Sequence, residues 1–106
     1  MATLGTCLWF DDDAEEAARF YVSVFPGSRV TRTTPYPVPT PSNKPVGSVM
    51  TVEFELDGRP FTALNGGPQF RFTEAVSIEV RTTDQAETDR YWDALLADGG
   101  VPGPCG

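Results

Sequence analysis

The run GSVMTVEFELDGRPFTALN, residues 47–65, is the strongest indication of fold in this chain. Apolar and polar residues alternate from Gly47 to Leu56, which is the two-residue period of a strand with one buried face. Asp57-Gly58 follows as a strong two-residue hairpin turn. Arg59 to Asn65 is the returning strand. These residues therefore predict an antiparallel hairpin whose buried face carries Met50, Val52, Phe54 and Leu56.

Upstream of the hairpin, the sequence predicts a strand followed by a helix. Leu4 to Phe10 reads as the strand. Asp13, with Glu16 three residues later, predicts a helix start closed by a capping box. One helical face is then apolar, and Pro26-Gly27 ends the helix. The apolar face is formed by Ala14, Ala17, Ala18, Tyr21, Val24 and Phe25.

A second strand and a proline-rich loop connect this helix to the hairpin. Arg29 to Thr34 is β-prone. Five prolines between Pro35 and Pro45 predict a loop, because proline removes donors from a strand ladder.

Downstream of the hairpin, the pattern begins again. Ala75 to Arg81 alternates and predicts a strand, and Asp84 with Glu87 predicts a capped helix that Gly99-Gly100 ends. The order is βαβββ and then βα, which indicates an internal duplication whose second copy is cut short. The prediction is one α+β domain over residues 1–106, with helices on one face of a sheet and a truncated second half.

Composition narrows the possible partners. The 106 residues carry a net charge of −7, which disfavours binding to nucleic acid and to anionic membrane surfaces. No run approaches the roughly 18 apolar residues of a membrane span. Cys7 and Cys105 are too few for a disulfide scaffold, so a reduced, cytoplasmic protein is the expectation.

Several runs resemble the PhnB-like family, a branch of the glyoxalase, bleomycin-resistance and vicinal oxygen chelate superfamily whose members often carry the label demethylubiquinone 3-methyltransferase. The runs are CLWFD at residues 7–11, AEEAARFY at 14–21, FPGS at 25–28, GSVMTVEF at 47–54, ALNGGP at 63–68, AVSI at 75–78 and YWDAL at 91–95. The resemblance covers nearly the whole chain. It implies a βαβββ glyoxalase-like module and a cupped sheet that encloses a small-molecule pocket.

The resemblance also implies chemistry that this sequence does not fully match. Metal-dependent relatives hold a divalent ion through His, Gln and Glu, and this chain has no His. We therefore predict no metal site of that kind, although an oxygen-ligand site stays open. No glycine-rich strand-to-helix loop of the methyl-donor type is present, because Gly66-Gly67 leads into a loop. The sequence assigns neither a cofactor nor a catalytic residue.

Six residues are candidate ligand-binding positions. Glu53 and Glu79 lie on polar strand faces and either point into the cup or form a solvated face; Glu55 is a weaker candidate. Asn65, Gln69 and Phe70 cluster after a strand end, and Gln69 stands where relatives tend to carry His. Trp9 lies on the face of the first strand opposite Phe10, either stacked on a ligand or packed in the core. Phe72 belongs to the same loop as Phe70.

The predicted function is binding of a small molecule in the cup without the usual His-based metal site. The alternative is a metal-dependent or methyltransferase-annotated enzyme of the same family. A homodimer is expected, because one and a half copies of the module leave a sheet edge unpaired.

Overall fold

A computed structural model describes residues 2–38 and 44–103. Cys105, part of the proline-rich loop and the last residues lie outside the described residues. The described chain divides into two compact units between Thr73 and Glu74. The elements are β1 (Thr6–Phe10), α1 (Ala14–Val24), β2 (Arg29–Pro35), β3 (Val49–Leu56), β4 (Arg59–Asn65) and α2 (Gln85–Ala97).

The first unit is a four-stranded mixed sheet in the order β1-β4-β3-β2. β1 runs parallel to β4, whereas β4 with β3 and β3 with β2 are antiparallel. The hairpin between β3 and β4 is confirmed. Asp57 and Gly58 have φ values of 51° and 83°, the positive pair that a type I′ hairpin turn requires. The predicted α+β class and the βαβββ order are likewise confirmed.

α1 packs on one face of this sheet and forms the core with it. Ala14 and Ala18 are fully buried, because small side chains allow the helix to approach the strands closely. They belong to one buried cluster with residues of β1, β3 and β4. The core consists of Phe10, Ala14, Ala18, Val52, Phe54, Phe61 and Ala63. The apolar alternation predicted for β3 therefore marks the side that α1 covers.

The start of α1 differs from the prediction in one respect. Asp13 occupies the N-cap position, but its side chain makes no capping hydrogen bond. The backbone N–H of Ala14 instead donates to Oδ1 of Asn65, 2.9 Å away. Asn65 pairs with Phe10 across the parallel β1–β4 ladder, which places its amide beside the helix start. A residue 51 positions later in the chain thus replaces the predicted local cap.

In the second unit, the cap of α2 agrees with the prediction. The N–H of Glu87 donates to Oδ1 of Asp84 at 2.8 Å. Glu87 Oε1 accepts from the N–H of Thr83 at 3.1 Å, one residue before the N-cap. Neither helix of the described residues is long and apolar enough to cross a membrane.

The predicted strand from Ala75 to Arg81 is wrong. This segment has no regular structure, and Val76 and Ile78 are 77% and 51% exposed. A strand exists only where a neighbouring strand completes its hydrogen bonds. Within residues 2–38 and 44–103, no strand pairs with this segment. Its alternating pattern is therefore present without the ladder that would make it a strand.

Candidate functional site

The sheet face opposite α1, which we call the far face, carries the mixture of aromatic, hydroxyl and charged side chains expected of a binding surface. Strand register aligns these side chains into two rows that cross the sheet. One row runs Trp9, Leu64, Thr51 and Thr34; the other runs Cys7, Thr62, Glu53 and Arg32. Glu55 and Arg29 continue the charged side.

Trp9 is the most firmly held of these side chains. Its indole Nε1 donates to the carbonyl oxygen of Gly67 at 2.8 Å. The ring lies directly against Gly66, where an added Cβ would fall 2.4 Å from Cζ2 of the indole. The ring of Phe70 meets Trp9 edge to face, with centroids 4.9 Å apart and planes at 80°. These contacts fix the orientation of the half-buried indole at the β1 end of the far face.

The loop after β4 contacts both sides of β1. Phe70 packs on Trp9, whereas Phe72 packs on Phe10, with centroids 5.2 Å apart. Trp9 and Phe10 are consecutive and therefore point to opposite faces. Phe70 and Phe72 still expose 65% and 62% of their surface, and Gln69 is exposed in the same loop. The rings of Phe70 and Phe72 thus anchor the loop, and Phe70 extends the far face next to Trp9.

The charged side of the far face consists of two arginine–glutamate pairs of unequal closeness. Nε of Arg29 lies 3.0 Å from Oε1 of Glu55 and makes a hydrogen bond. Nε of Arg32 lies 4.0 Å from Oε2 of Glu53, which is at the limit of an ion pair. Exposed pairs of this kind contribute only about 0–1 kcal/mol to stability. The carboxylate of Glu53 is therefore the less tightly engaged of the two.

Asn65 lies on the α1 side of the sheet and not on the far face. Both ends of its amide are hydrogen-bonded, because Oδ1 accepts from Ala14 and Nδ2 donates to the carbonyl of Val49 at 3.0 Å. The hydroxyl of Tyr36 donates to the Asn65 carbonyl. At 6% exposure, Asn65 links α1, β3 and β4. These contacts describe a structural position, and a ligand-binding role stays a prediction.

Glu79 belongs to the second unit, where Nη2 of Arg81 lies 3.5 Å from its carboxylate. Its side chain is 75% exposed. Of the six predicted residues, the structure thus brings Trp9 and Phe70 together, puts Glu53 on the same face as Trp9, and places Asn65 on the other. Gln69 adjoins Phe70 along the chain.

Sequence reasoning missed the backbone that holds Trp9 and the residues that flank it. The Gly67 carbonyl leaves no trace in a side-chain pattern. The alternation of β4 indicates that Leu64 and Thr62 share a face of the sheet. That this face also carries Trp9 follows only from the β1–β4 register.

An open concavity of about 430 Å³ lies elsewhere, at the start of α1. Its lining is Asp12, Glu15, Lys44, Pro45, Ser48, Val49 and Asn65. Lys44 Nζ donates to the carbonyl of Asp11 at 2.5 Å and lies 3.6 Å from its carboxylate. Lys44 and the Asn65 amide already bind other groups of the protein. We therefore interpret this concavity as a place where polar contacts hold α1 to the sheet, and the far face as the candidate site.

The described residues do not fit the cofactors that the family suggests. Within residues 2–38 and 44–103, no three His, Cys, Asp or Glu side chains converge as metal ligands. The β1–α1 connection, Asp11 to Asp13, carries acids and no glycine, which is unfavourable for the phosphates or carboxylate of a nucleotide-type cofactor. Gly66-Gly67 is followed by a loop, and the next helix begins only at Gln85. We therefore derive no reaction step through a metal or a methyl donor.

Comparison with known proteins places the chain in a family. A PhnB protein from Bacillus cereus is 30% identical over 97% of this chain and 80% of its own, with a TM-score of 0.80. A protein from Staphylococcus aureus is 26% identical over 98% of this chain and 77% of its own; its TM-score of 0.48 supports no inference about the fold. No curated protein matches. The sequence model of the 3-demethylubiquinone-9 3-methyltransferase family matches residues 2–106, so the chain belongs to this PhnB-like family.

Proposed function

We propose that this protein binds a small molecule on the far face of its sheet, without a His-based metal site. The observation that carries the proposal is the fixed, half-buried indole of Trp9, with Phe70 at its edge. An aromatic ring that is already held in one orientation loses little conformational freedom when a ligand stacks on it. On the same face, Leu64 lies opposite Trp9, and Thr62 and Thr51 follow with hydroxyl groups; apolar and hydroxyl groups together suit a flat molecule with a few polar atoms.

The proposal predicts that Trp9 dominates binding of a flat aromatic probe. We expect 2-naphthalenemethanol to shift the indole N–H signal of Trp9 in a titration followed by nuclear magnetic resonance. Trp9→Ala lacks this signal, so binding to the variant is followed through the broadening of the probe's own proton signals. This substitution should weaken binding at least about five-fold, because a stacked aromatic pair contributes about 1 kcal/mol beyond its buried area.

The matched control is Trp92→Ala, which removes the other tryptophan from an exposed position on α2. It should leave the affinity for the probe unchanged. If Trp92→Ala weakens binding as much as Trp9→Ala, or if the probe shifts neither indole signal, the far face is not the site.

We also propose that the protein forms a homodimer. The support is an exposed, alternating segment that is not part of the sheet: Val76, Ile78 and Val80 are 77%, 51% and 45% exposed. In addition, α2 contains no buried residue. Exposed alternating segments of this kind are commonly covered by a partner chain.

Size-exclusion chromatography with light scattering should therefore give about 23 kDa, twice the chain mass of 11.5 kDa. Ile78→Asp should shift the protein towards monomer, because the change puts a charge on the apolar side of the segment. Ser77→Asp changes the other side and serves as the control. A wild-type protein that stays monomeric at micromolar concentration contradicts the dimer.

A further inference from the structure

We propose that the ligand class of the far face is a flat aromatic cation, whose ring stacks on Trp9 and whose positive charge meets Glu53. The inference rests on the proposed function, since it assigns a charge to the ligand of that same site. It follows from the order of side chains across the sheet and from the ion pairs made by the carboxylates of Glu53 and Glu55.

The strand order separates an aromatic side from a charged side. Trp9 lies on the edge strand β1, and Leu64 and Thr62 follow on β4. Glu53 comes next, on β3, and neighbouring strands lie about 4.8 Å apart. The indole and the carboxylate are therefore on strands about 10 Å apart. Because they lie in different rows, they are also offset by two residues, about 7 Å, along the strands, and both side chains can extend to narrow this gap. A bicyclic ring with a short charged arm suits that spacing.

Along the rows that lead from Trp9 across the sheet towards β2, the first charged group is negative. Between Trp9 and Glu53, the crossing rows contain Leu64, Thr62 and Thr51, which carry no formal charge. Arg32 lies one strand further out, on the edge strand β2. A cationic arm reaches Glu53 directly, whereas an anionic arm has to pass this carboxylate to reach the guanidinium of Arg32.

Glu53 is also the carboxylate that is free to accept a new partner. Its side chain is 47% exposed, and its contact with Arg32 is as long as 4.0 Å. Glu55 already accepts a 3.0 Å hydrogen bond from Arg29 and is the more buried, at 33%. The net charge of −7 adds a long-range preference for cations over anions.

The test compares three probes of one shape: 2-naphthylmethylamine, 2-naphthalenemethanol and 2-naphthoate. Each is titrated into the full chain at low ionic strength, and the Trp9 indole N–H signal reports binding. We expect the amine to bind about three- to ten-fold more tightly than the alcohol, with naphthoate weakest. Added salt should reduce the preference of the amine, because exposed charges are screened.

Two variants test whether Glu53 is the group that recognises the positive charge of the ligand. Glu53→Gln keeps the size and polarity of the side chain; it should abolish the preference, by weakening binding of the amine about three- to ten-fold relative to the alcohol. Glu55→Gln, on the same strand and face, should retain the preference.

The two proposals fail differently. Equal binding of all three probes, or a preference for naphthoate, contradicts the proposal of a cationic ligand but is consistent with a binding site on the far face. The proposed recognition of a cation by Glu53 is also contradicted if Glu53→Gln keeps the full preference for the amine. If none of the probes binds, the proposed function fails, and the ligand class fails with it.

Discussion

Replacing Asn65 with alanine is expected to lower the free energy of unfolding by about 3 kcal/mol, because each buried group left unsatisfied costs about 1–3 kcal/mol. The variant removes the partners of two backbone groups, the buried N–H of Ala14 and the partly buried carbonyl of Val49. Asn65 also lines the open concavity at the start of α1, so water can reach part of the space that the amide leaves, and the expected loss lies near the low end of the sum of the two costs. Urea denaturation followed by far-UV circular dichroism measures the change.

Asp13→Ala is the matched control at the same helix end. Asp13 occupies the N-cap position but makes no side-chain cap, so its removal should change stability by no more than about 0.5 kcal/mol. Tyr36→Phe removes the hydroxyl that donates to the Asn65 carbonyl and should cost about 1 kcal/mol. If Asp13→Ala destabilises the protein more than Asn65→Ala, α1 is capped locally and the role assigned to Asn65 is wrong.

Gly66→Ala is expected to displace the indole of Trp9 and to destabilise the protein by about 2 kcal/mol, the middle of the range for overpacking. The added Cβ would fall 2.4 Å from Cζ2 of the indole, so one of the two groups has to move. Movement of the indole breaks its hydrogen bond to Gly67. The measurements are urea denaturation and the hydrogen-exchange rate of the Trp9 indole N–H, which should rise.

Two controls separate the contact with Trp9 from a general effect of replacing glycine. Gly5→Ala places a Cβ no closer than 3.4 Å to any neighbour and should be nearly neutral. In a Trp9→Ala background, Gly66→Ala should lose most of its cost, because the atoms it meets are gone. An indole N–H signal with unchanged position and exchange rate in Gly66→Ala would contradict the close approach described for Gly66.

The elements that sequence predicted correctly depend on short-range physics. The β3–β4 hairpin follows from a two-residue alternation and from the positive φ that Asp57-Gly58 tolerates. The cap of α2 follows from Asp84 and Glu87, which are three residues apart. In each case the interacting groups are close along the chain, so their geometry is already implied by their spacing.

The predictions that were wrong depend on partners far along the chain. Asp13 and Asp84 look alike in sequence, but only at Asp13 does the β1–β4 ladder bring in a competing amide, that of Asn65. Similarly, residues 75–81 alternate as well as β3 does. Alternation describes which side chains share a face and does not supply the second strand that a ladder requires.

The candidate site divides in the same way. The types of residue at Trp9, Glu53 and Phe70 were recognisable, because aromatic and carboxylate side chains on strand faces are typical of binding surfaces. Their grouping was not recognisable, since Trp9 and Glu53 are 44 residues apart and meet on one face only through the register of three strands.

The α+β class, the βαβββ order, the hairpin turn and the lack of histidine can all be read from the amino-acid sequence. Three features required the folded chain: Asn65 caps α1, residues 75–81 are not a strand, and Trp9 is held by Gly66 and Gly67 on the face that carries Glu53. The physical reason is that φ preference, alternation and local capping act over a few residues, whereas a hydrogen-bond partner, a close approach and a shared face are set by the packing of distant segments.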